Sequence, residues 1–268
     1  MSFYSEYYVN KECERFVNKI WALDNSTNQN PIENKLILPN GCFNLAIVSG
    51  NGIEVHTKKK QYVMDTGIYF CSQMTSKVSV DIMPNTKVII VQLHAWTVSM
   101  FPNYDLSDFI DTIVEMNQND LPFKGEIDPN LFTNTESVLL FINENFGDLN
   151  KIQPSKTLVE QLCDCIKQHP EDISVSEITS FLKTSQRTLQ IKFKKATGLT
   201  IKNYIKILKL RKTIDTMVET GNEKNNLTAI ALDNDYFDQS HFNKTFQEMI
   251  KMSPKKFDPN SFILSEKR

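Results

Sequence analysis

Two stretches of this chain repeat one another. Leu189-x-x-x-Phe193 and Phe242-x-x-x-Phe246 stand fifty-three residues apart, and each follows a short amphipathic segment and a three- to four-residue turn. Helix, turn and helix therefore occur twice, which commits the C-terminal part of the chain to paired helices. In the first unit the pattern predicts a helix over 175–182 capped by Ser174. After the Lys183-Thr184 turn it predicts a second over 186–196 capped by Ser185. In the second unit 228–232 leads into Asp233-Asn234-Asp235, and Asp238 caps a helix over 239–249. Asn and Asp tolerate the left-handed backbone of a tight turn, so they can stand where glycine often does.

At roughly 100° per residue the two second helices separate into faces. Leu189, Phe193 and Ala196 fall on one side, with Arg187, Gln190, Ile191 and Lys194 opposite. Phe242, Phe246 and Met249 form the corresponding apolar stripe, with Gln239, Ser240, Asn243, Lys244 and Gln247 opposite. One side packs and the other faces out. Arg, Gln, Asn, Ser and Lys are the side chains that read base edges, and a helix is the element that fits the major groove.

The charge distribution agrees. The formal net charge is −2, yet residues 1–150 hold 10 Lys/Arg against 18 Asp/Glu, while residues 151–268 hold 20 against 14. Between Lys183 and Lys212 there are ten basic residues and no acidic one. A solvated face would explain a basic run by itself; beside two aligned helical units, it is what counterion release from a phosphate backbone requires.

With 268 residues, 40% of them hydrophobic and only 8 Gly and 10 Pro, the chain has the make-up of a globular protein with room for two cores. No apolar run is long enough to span a bilayer, and the N-terminus lacks a basic start and an apolar core, so a cytoplasmic protein without membrane contact is expected. The five cysteines, at 13, 42, 71, 163 and 165, form no C-x-x-C pair and read as reduced, mostly buried thiols.

The first hundred residues read differently. A short helix is expected over 11–23, followed by strands over 35–41, 42–48, 67–70, 77–82 and 86–93, separated by Pro-Asn, Asn-Gly and Gly-Asn punctuation. Such spacing predicts a small barrel or sandwich. From Asp105 the period turns helical, through Phe109, Ile110, Ile113, Val114 and then Leu131, Val138, Leu139, Phe141 and Ile142. The Gly, Asn and Pro of residues 147–155 mark the linker, with further breaks at His169-Pro170, Thr197-Gly198, 221–226 and Ser253-Pro254.

Residues 155–258 resemble the DNA-binding domain of the AraC/XylS family of transcription regulators. The resemblance rests on Ile178, on residues 185–198 (SQRTLQIKFKKATG), on Ile230-Ala231, on residues 238–246 (DQSHFNKTF) and on Ser253-Pro254. It implies two recognition helices in successive major-groove segments, joined by a linker helix at about 201–218. Arg187, Gln190, Ile191, Gln239, Ser240, Asn243 and Lys244 would then meet bases, and Ser185, Lys192, Lys194, Lys195 and Lys255 phosphates. The chain departs from the usual pattern at Thr179 (for Ala), Ile191 (for Arg), Lys209 (for a linker-helix Arg), and Asp235 and Lys251 (each for Gly). Ile191 can touch a thymine methyl but cannot bind guanine in a bidentate way.

The first half resembles the cupin-like N-terminal domains of the same family, on Leu38-Pro39-Asn40-Gly41-Cys42-Phe43-Asn44-Leu45. Such domains sense small molecules and mediate dimerisation. Tyr62, Tyr69, Phe70, His94 and Trp96 are candidate wall residues of an effector pocket, against the plainer reading that these rings are core. His56 and His94 stand alone, without the His-x-His spacing of a cupin metal site, so no metal, cofactor or catalytic residue is expected.

The expectation is thus an α+β chain with an N-terminal cupin-like β-barrel domain and flanking helices over 1–150. A double helix-turn-helix domain follows over 155–262. Its function would be sequence-specific DNA binding, more readily as an activator, controlled by a small-molecule effector or by dimerisation. Its partners would be double-stranded DNA, the effector, RNA polymerase if it activates, and a second copy. The rival is a cupin-type enzyme or metabolite-binding protein whose helical module binds protein.

Overall fold

The computed structural model describes residues 3–100, 105–117, 128, 134–168, 175–220 and 227–264. Leu131, Ser174, the His169-Pro170 break and residues 221–226 lie outside them.

The N-terminal half is built on two sheets. In the first, β1 (Tyr4–Tyr7), β2 (Val17–Asn25), β9 (Thr86–Leu93), β4 (Phe43–Ser49), β7 (Gly67–Cys71) and β10 (Ile113–Glu115) lie side by side in that order, all antiparallel. The second runs β11 (Phe262–Ile263), β3 (Ile32–Ile37), β8 (Val78–Ile82), β5 (Ile53–His56), β6 (Gln61–Met64). Alternation explains the second sheet: Val78, Val80 and Ile82 turn inward from β8 while Ser79 and Asp81 turn outward. Those inward residues meet Leu23, Val48, Val88 and Ile90 of the first sheet in one core. The other face of the first sheet packs Ile20, Leu45, Ile89 and Val91 against Val138, Phe141, Ile142 and Phe146 of α1 (Thr135–Ile152). The expected barrel thus takes the form of two facing sheets.

Two expectations are corrected. Residues 11–16 make tight turns, with Phe16 N–H on the Cys13 carbonyl at 2.9 Å, and from Val17 the chain is strand rather than helix. Apolar residues at 16, 17, 20 and 21 have helical spacing, but a central strand covered on both faces also reads as an unbroken apolar run. Ile113 and Val114 likewise lie in a strand, not a helix; β10 is only three residues long, too short to show a period of two.

The remaining helices are α2 (Leu158–Gln168), α3 (Val175–Phe181), α4 (Gln186–Thr197), α5 (Ile201–Glu219), α6 (Leu227–Asp233) and α7 (Gln239–Ile250). Tyr204, Ile207, Leu210, Ile214 and Met217 make α5 the spine of one core shared by the helices on either side of it. The halves interlock: Phe262 and Ile263 add parallel to Leu36 and Ile37, and Lys77 N–H donates to the Met249 carbonyl at 2.8 Å. A Cβ at Gly41 would come within 2.7 Å of the Tyr204 ring, so only glycine admits this contact.

His94 stands at the same junction, stacked on Trp96 at 4.5 Å between ring centres. Its Nε2 lies 3.0 Å from the Glu14 carbonyl, and its Nδ1 accepts from Lys167 Nζ at 3.1 Å. Burial, with the Lys167 ammonium adding to it, pushes the imidazole down to about 3 from 6.5. Below 6.5 the unfolded chain takes up a proton that the native chain refuses, so stability falls as pH drops from 6.5 toward 3. The expected loss is ~1.4 kcal/mol per pH unit. Urea titrations across that range should show His94→Gln lacking this part of the acid slope; an identical slope would contradict the assignment.

Lys251 closes α7 at φ 59°, in the left-handed region where glycine is favoured. Lys251→Gly is expected to stabilise by about 1 kcal/mol, raising Tm by about 2–4 °C. A lower Tm by calorimetry would count against the strain.

Candidate nucleic-acid interface

Local chemistry sets the first unit. Lys183, at φ 49°, turns the chain out of α3, and Ser185 Oγ accepts the Thr188 N–H at 3.1 Å, so α4 begins at Gln186. Leu189 and Phe193 are fully buried and Ala196 nearly so. Arg187, Gln190, Ile191, Lys192, Lys194 and Lys195 are all exposed, as is the cap Ser185. The helix stops at Gly198, whose φ of +75° and fit under the Leu106 and Phe109 carbonyls leave no room for a side chain.

The second unit is built the same way. Asp235, at φ 61°, turns the chain, and Asp238 Oδ1 accepts the His241 N–H at 2.7 Å to start α7. Phe242, Thr245, Phe246, Met249 and Ile250 are buried; Ser240, Asn243, Lys244 and Gln247 are exposed, with Lys255 exposed in the following turn. Gln239 is half-buried, its Oε1 accepting from Thr228 of α6 at 3.0 Å. The two outward faces match position for position: 187, 190, 191 and 194 on α4 stand where 240, 243, 244 and 247 stand on α7.

Charge pairing distinguishes the basic residues. Lys195 Nζ lies 4.0 Å from Asp105, a solvated pair of small energetic weight. Lys206 holds Glu248 at 2.5 Å, tying α5 to α7. Lys209 reaches from α5 to the Asp235 carbonyl and sits 4.8 Å over the Tyr236 ring. It is therefore a brace for the second turn, a role that the charge pattern did not disclose.

The candidate pocket residues do not share one cavity. Tyr69 lies in the core between the sheets, and Tyr62 is half-buried at its margin under Lys60. Phe70 points to the opposite face, stacked between Phe43 and Phe109 at 5.4 and 5.7 Å. His94 and Trp96 face α2. Two cavities that these residues do not line do occur. One of about 80 Å³ lies between the sheets, lined by Trp21, Asn44, Ile53, Met64, Val80 and Ile90 among others. The other, of about 210 Å³, lies where the first sheet meets α5, and its walls include Lys19, Trp21, Gln92, Arg211, Asp215 and Ile263. Trp21 and Ile37 wall both. Trp21 Nε1 and Asn44 Oδ1 are buried without a hydrogen-bond partner.

Among the described residues, one group could gather a metal ion. Glu54, His56 and Asp81 bring their ligand atoms within 4.8 Å of one another on the outer face of the second sheet. His56 is thus not alone: Asp81 of the neighbouring strand lies 3.3 Å from its Nε2. All three are half-exposed, and no helix among the described residues is long and apolar enough to cross a membrane.

A family profile described as a helix-turn-helix domain matches residues 178–259, and one described as a domain of unknown function (DUF6597) matches residues 6–115. No curated protein matches. Among solved structures, ToxT from Vibrio cholerae O395 is 14% identical with a TM-score of 0.47, covering 96% of this chain and 97% of its own. Unsaturated fatty acid-bound ToxT from Vibrio cholerae strain SCE256 is 16% identical, TM-score 0.46, covering 84% and 91%. The AraC-like transcriptional activator CuxR is 13% identical, TM-score 0.28, covering 75% and 74%. With two capped second helices that bury one stripe and expose the other, the C-terminal helical unit of this chain is an AraC-type helix-turn-helix DNA-binding domain.

Proposed function

We propose that this chain is a sequence-specific transcription regulator and not an enzyme, with α4 and α7 entering successive major-groove segments of one duplex. The observation that carries the reading is the pair of matching polar faces, each on a helix whose opposite stripe is buried. Arg187, Gln190 and Ile191 contact bases in the first segment, and Ser240, Asn243 and Lys244 in the second. Gln239 joins them once it leaves Thr228. Ser185, Lys192, Lys194, Lys195 and Lys255 hold phosphates, Lys195 exchanging Asp105 for the backbone. The protein acts in the cytoplasm, and its working division is 1–150 and 155–262.

We place a small-molecule effector in the two cavities that Trp21 and Ile37 both wall, rather than at Tyr62, Tyr69, Phe70, His94 or Trp96. The inner cavity is apolar with one unpaired donor, Trp21 Nε1, and one unpaired acceptor, Asn44 Oδ1. The outer one is walled by residues of both halves, so an occupant that favours one relative placement of them shifts how α4 and α7 are presented. The family resemblance favours activation, with RNA polymerase as the partner in that case, and a second copy bound through the first half.

Three measurements test this reading. Arg187→Ala is expected to cost ~1–3 kcal/mol at a selected site and relax preference there, whereas Lys194→Ala weakens all duplexes about equally. Unchanged gel shifts for both variants would reject the groove assignment. A cupin-type enzyme with a protein-binding helical module would give no steep fall of DNA affinity with salt. For the effector, metabolites that raise Tm of the wild type are expected to lose that effect in Trp21→Phe; a shift retained in full would move the site elsewhere.

A further inference from the structure

We infer that Glu54, His56 and Asp81, on the outer face of the second sheet, form a binding site for a divalent first-row metal ion such as Zn2+. The site lies apart from the two cavities assigned to the effector and from the outward faces of α4 and α7, and it does not depend on what those helices read.

Strand alternation brings the three side chains together. Ile53 and Val55 of β5 turn into the core between the sheets, as do Val80 and Ile82 of β8, so Glu54, His56 and Asp81 all point outward. Glu54 stands directly opposite Asp81, while His56 stands opposite the small Ser79 and leans onto its diagonal neighbour, Asp81. Its Nε2 lies 3.3 Å from Asp81 Oδ2 and 3.9 Å from Glu54 Oε2, and the ligand atoms of all three fall within 4.8 Å of one another. Two ligands of one tetrahedral zinc ion, with bonds of about 2.0–2.2 Å, stand roughly 3.4 Å apart.

Two carboxylates set directly opposite each other across a pair of strands repel. No lysine or arginine among the described residues forms an ion pair with either; their charged neighbour is His56. The three lysines that follow His56 are engaged elsewhere. Lys58 lines a cavity against α7, Lys59 Nζ donates to the Ile110 carbonyl at 2.6 Å, and Lys60 sits 4.5 Å over the Tyr62 ring. What holds the carboxylates is neutral: the Asn34 N–H donates to Asp81 Oδ1 at 2.6 Å, and Gln61 Nε2 to Glu54 Oε2 at 2.7 Å. The first of these contacts is made at an irregularity of β3, where Asn34 takes φ 57° and the register with β8 shifts between Ile32 and Lys35. Such outer contacts orient ligand oxygens without neutralising them. They leave Asp81 Oδ2 turned to the imidazole, and two negative charges for a dication to offset.

The donor set selects the ion. One imidazole and two carboxylates suit Zn2+ and its first-row neighbours, whereas Ca2+ takes about 6–8 oxygens and Mg2+ an octahedron of them. The three side chains are half-exposed, so water completes the shell. The ion ties β5 to β8 and, through Asn34, to β3, the strand to which Phe262 and Ile263 add.

The test uses the full chain, stripped of metal with a chelator and titrated with Zn2+ and separately with Mg2+ in a calorimeter. One Zn2+ per chain is expected to bind and to raise Tm, with Mg2+ doing neither at the same concentration. Glu54→Gln, His56→Gln and Asp81→Asn should each weaken the zinc site by about ten-fold or more. In the absence of metal, Glu54→Gln should be at least as stable as wild type, because it removes the repulsion across from Asp81, so that its lost binding reports lost ligation; a lower Tm for it would contradict that repulsion. Absence of zinc binding by wild type, zinc affinity unchanged in the three variants, or an equal response to Mg2+ would each overturn the site.

Discussion

The interface depends on burying one apolar stripe of each second helix against α5. Phe193 of α4 meets Tyr204 at 5.4 Å, and in the second unit Phe242 and Phe246 pack edge-on at 5.6 Å, with Phe246 continuing onto Phe257. A helix has no freedom to roll once such residues are seated. Removing a buried phenylalanine typically costs about 3–5 kcal/mol, a large share of a domain's stability. The polar faces are therefore aimed by aromatic packing, and the basic residues supply attraction without setting direction. Caps do the finer work: Ser185 and Asp238 fix where each helix starts, and hence which residue comes first on the outward face.

The same packing joins the helical unit to the sheets. Trp96 and Leu38 belong to the helical core, the Leu106 N–H donates to the Lys195 carbonyl at 2.9 Å, and Phe262 and Ile263 add to the second sheet. Buried Glu160 of α2 pairs with Arg15 at 2.8 Å, a contact that is costly to break because it would strand a carboxylate out of water. Ile263 and Arg211 both wall the outer cavity, so its contents and the placement of α5 are physically linked.

Much of this was legible locally. The strand at 86–93, both caps and the extents of α4 and α7 follow from alternation, capping chemistry and a 3.6-residue period, all of which act over a few neighbours. Positions where glycine is usual in the family, Asp235 and Lys251, keep the left-handed backbone although the side chain has changed. What escaped reading depends on distant partners. β11 is two residues long and is a strand only because Leu36 and Ile37 lie beside it. β2 reads as a helix in the sequence because a strand buried on both faces shows an unbroken apolar run. The proposed pocket of aromatics overlooked a rule the sequence did offer: Tyr69 and Phe70 are neighbours in a strand and so point to opposite faces.

The reading proposed for α4 and α7 has two faces, built alike, meeting one duplex from its major groove. Purine methylation interference on a site selected from random DNA tests it most directly, since guanine N7 lies in the major groove and adenine N3 in the minor. Two clusters of interfering guanines about 10 base pairs apart are predicted, the first lost in Arg187→Ala and the second in Lys244→Ala. A single cluster, or interference confined to adenine N3, would contradict it.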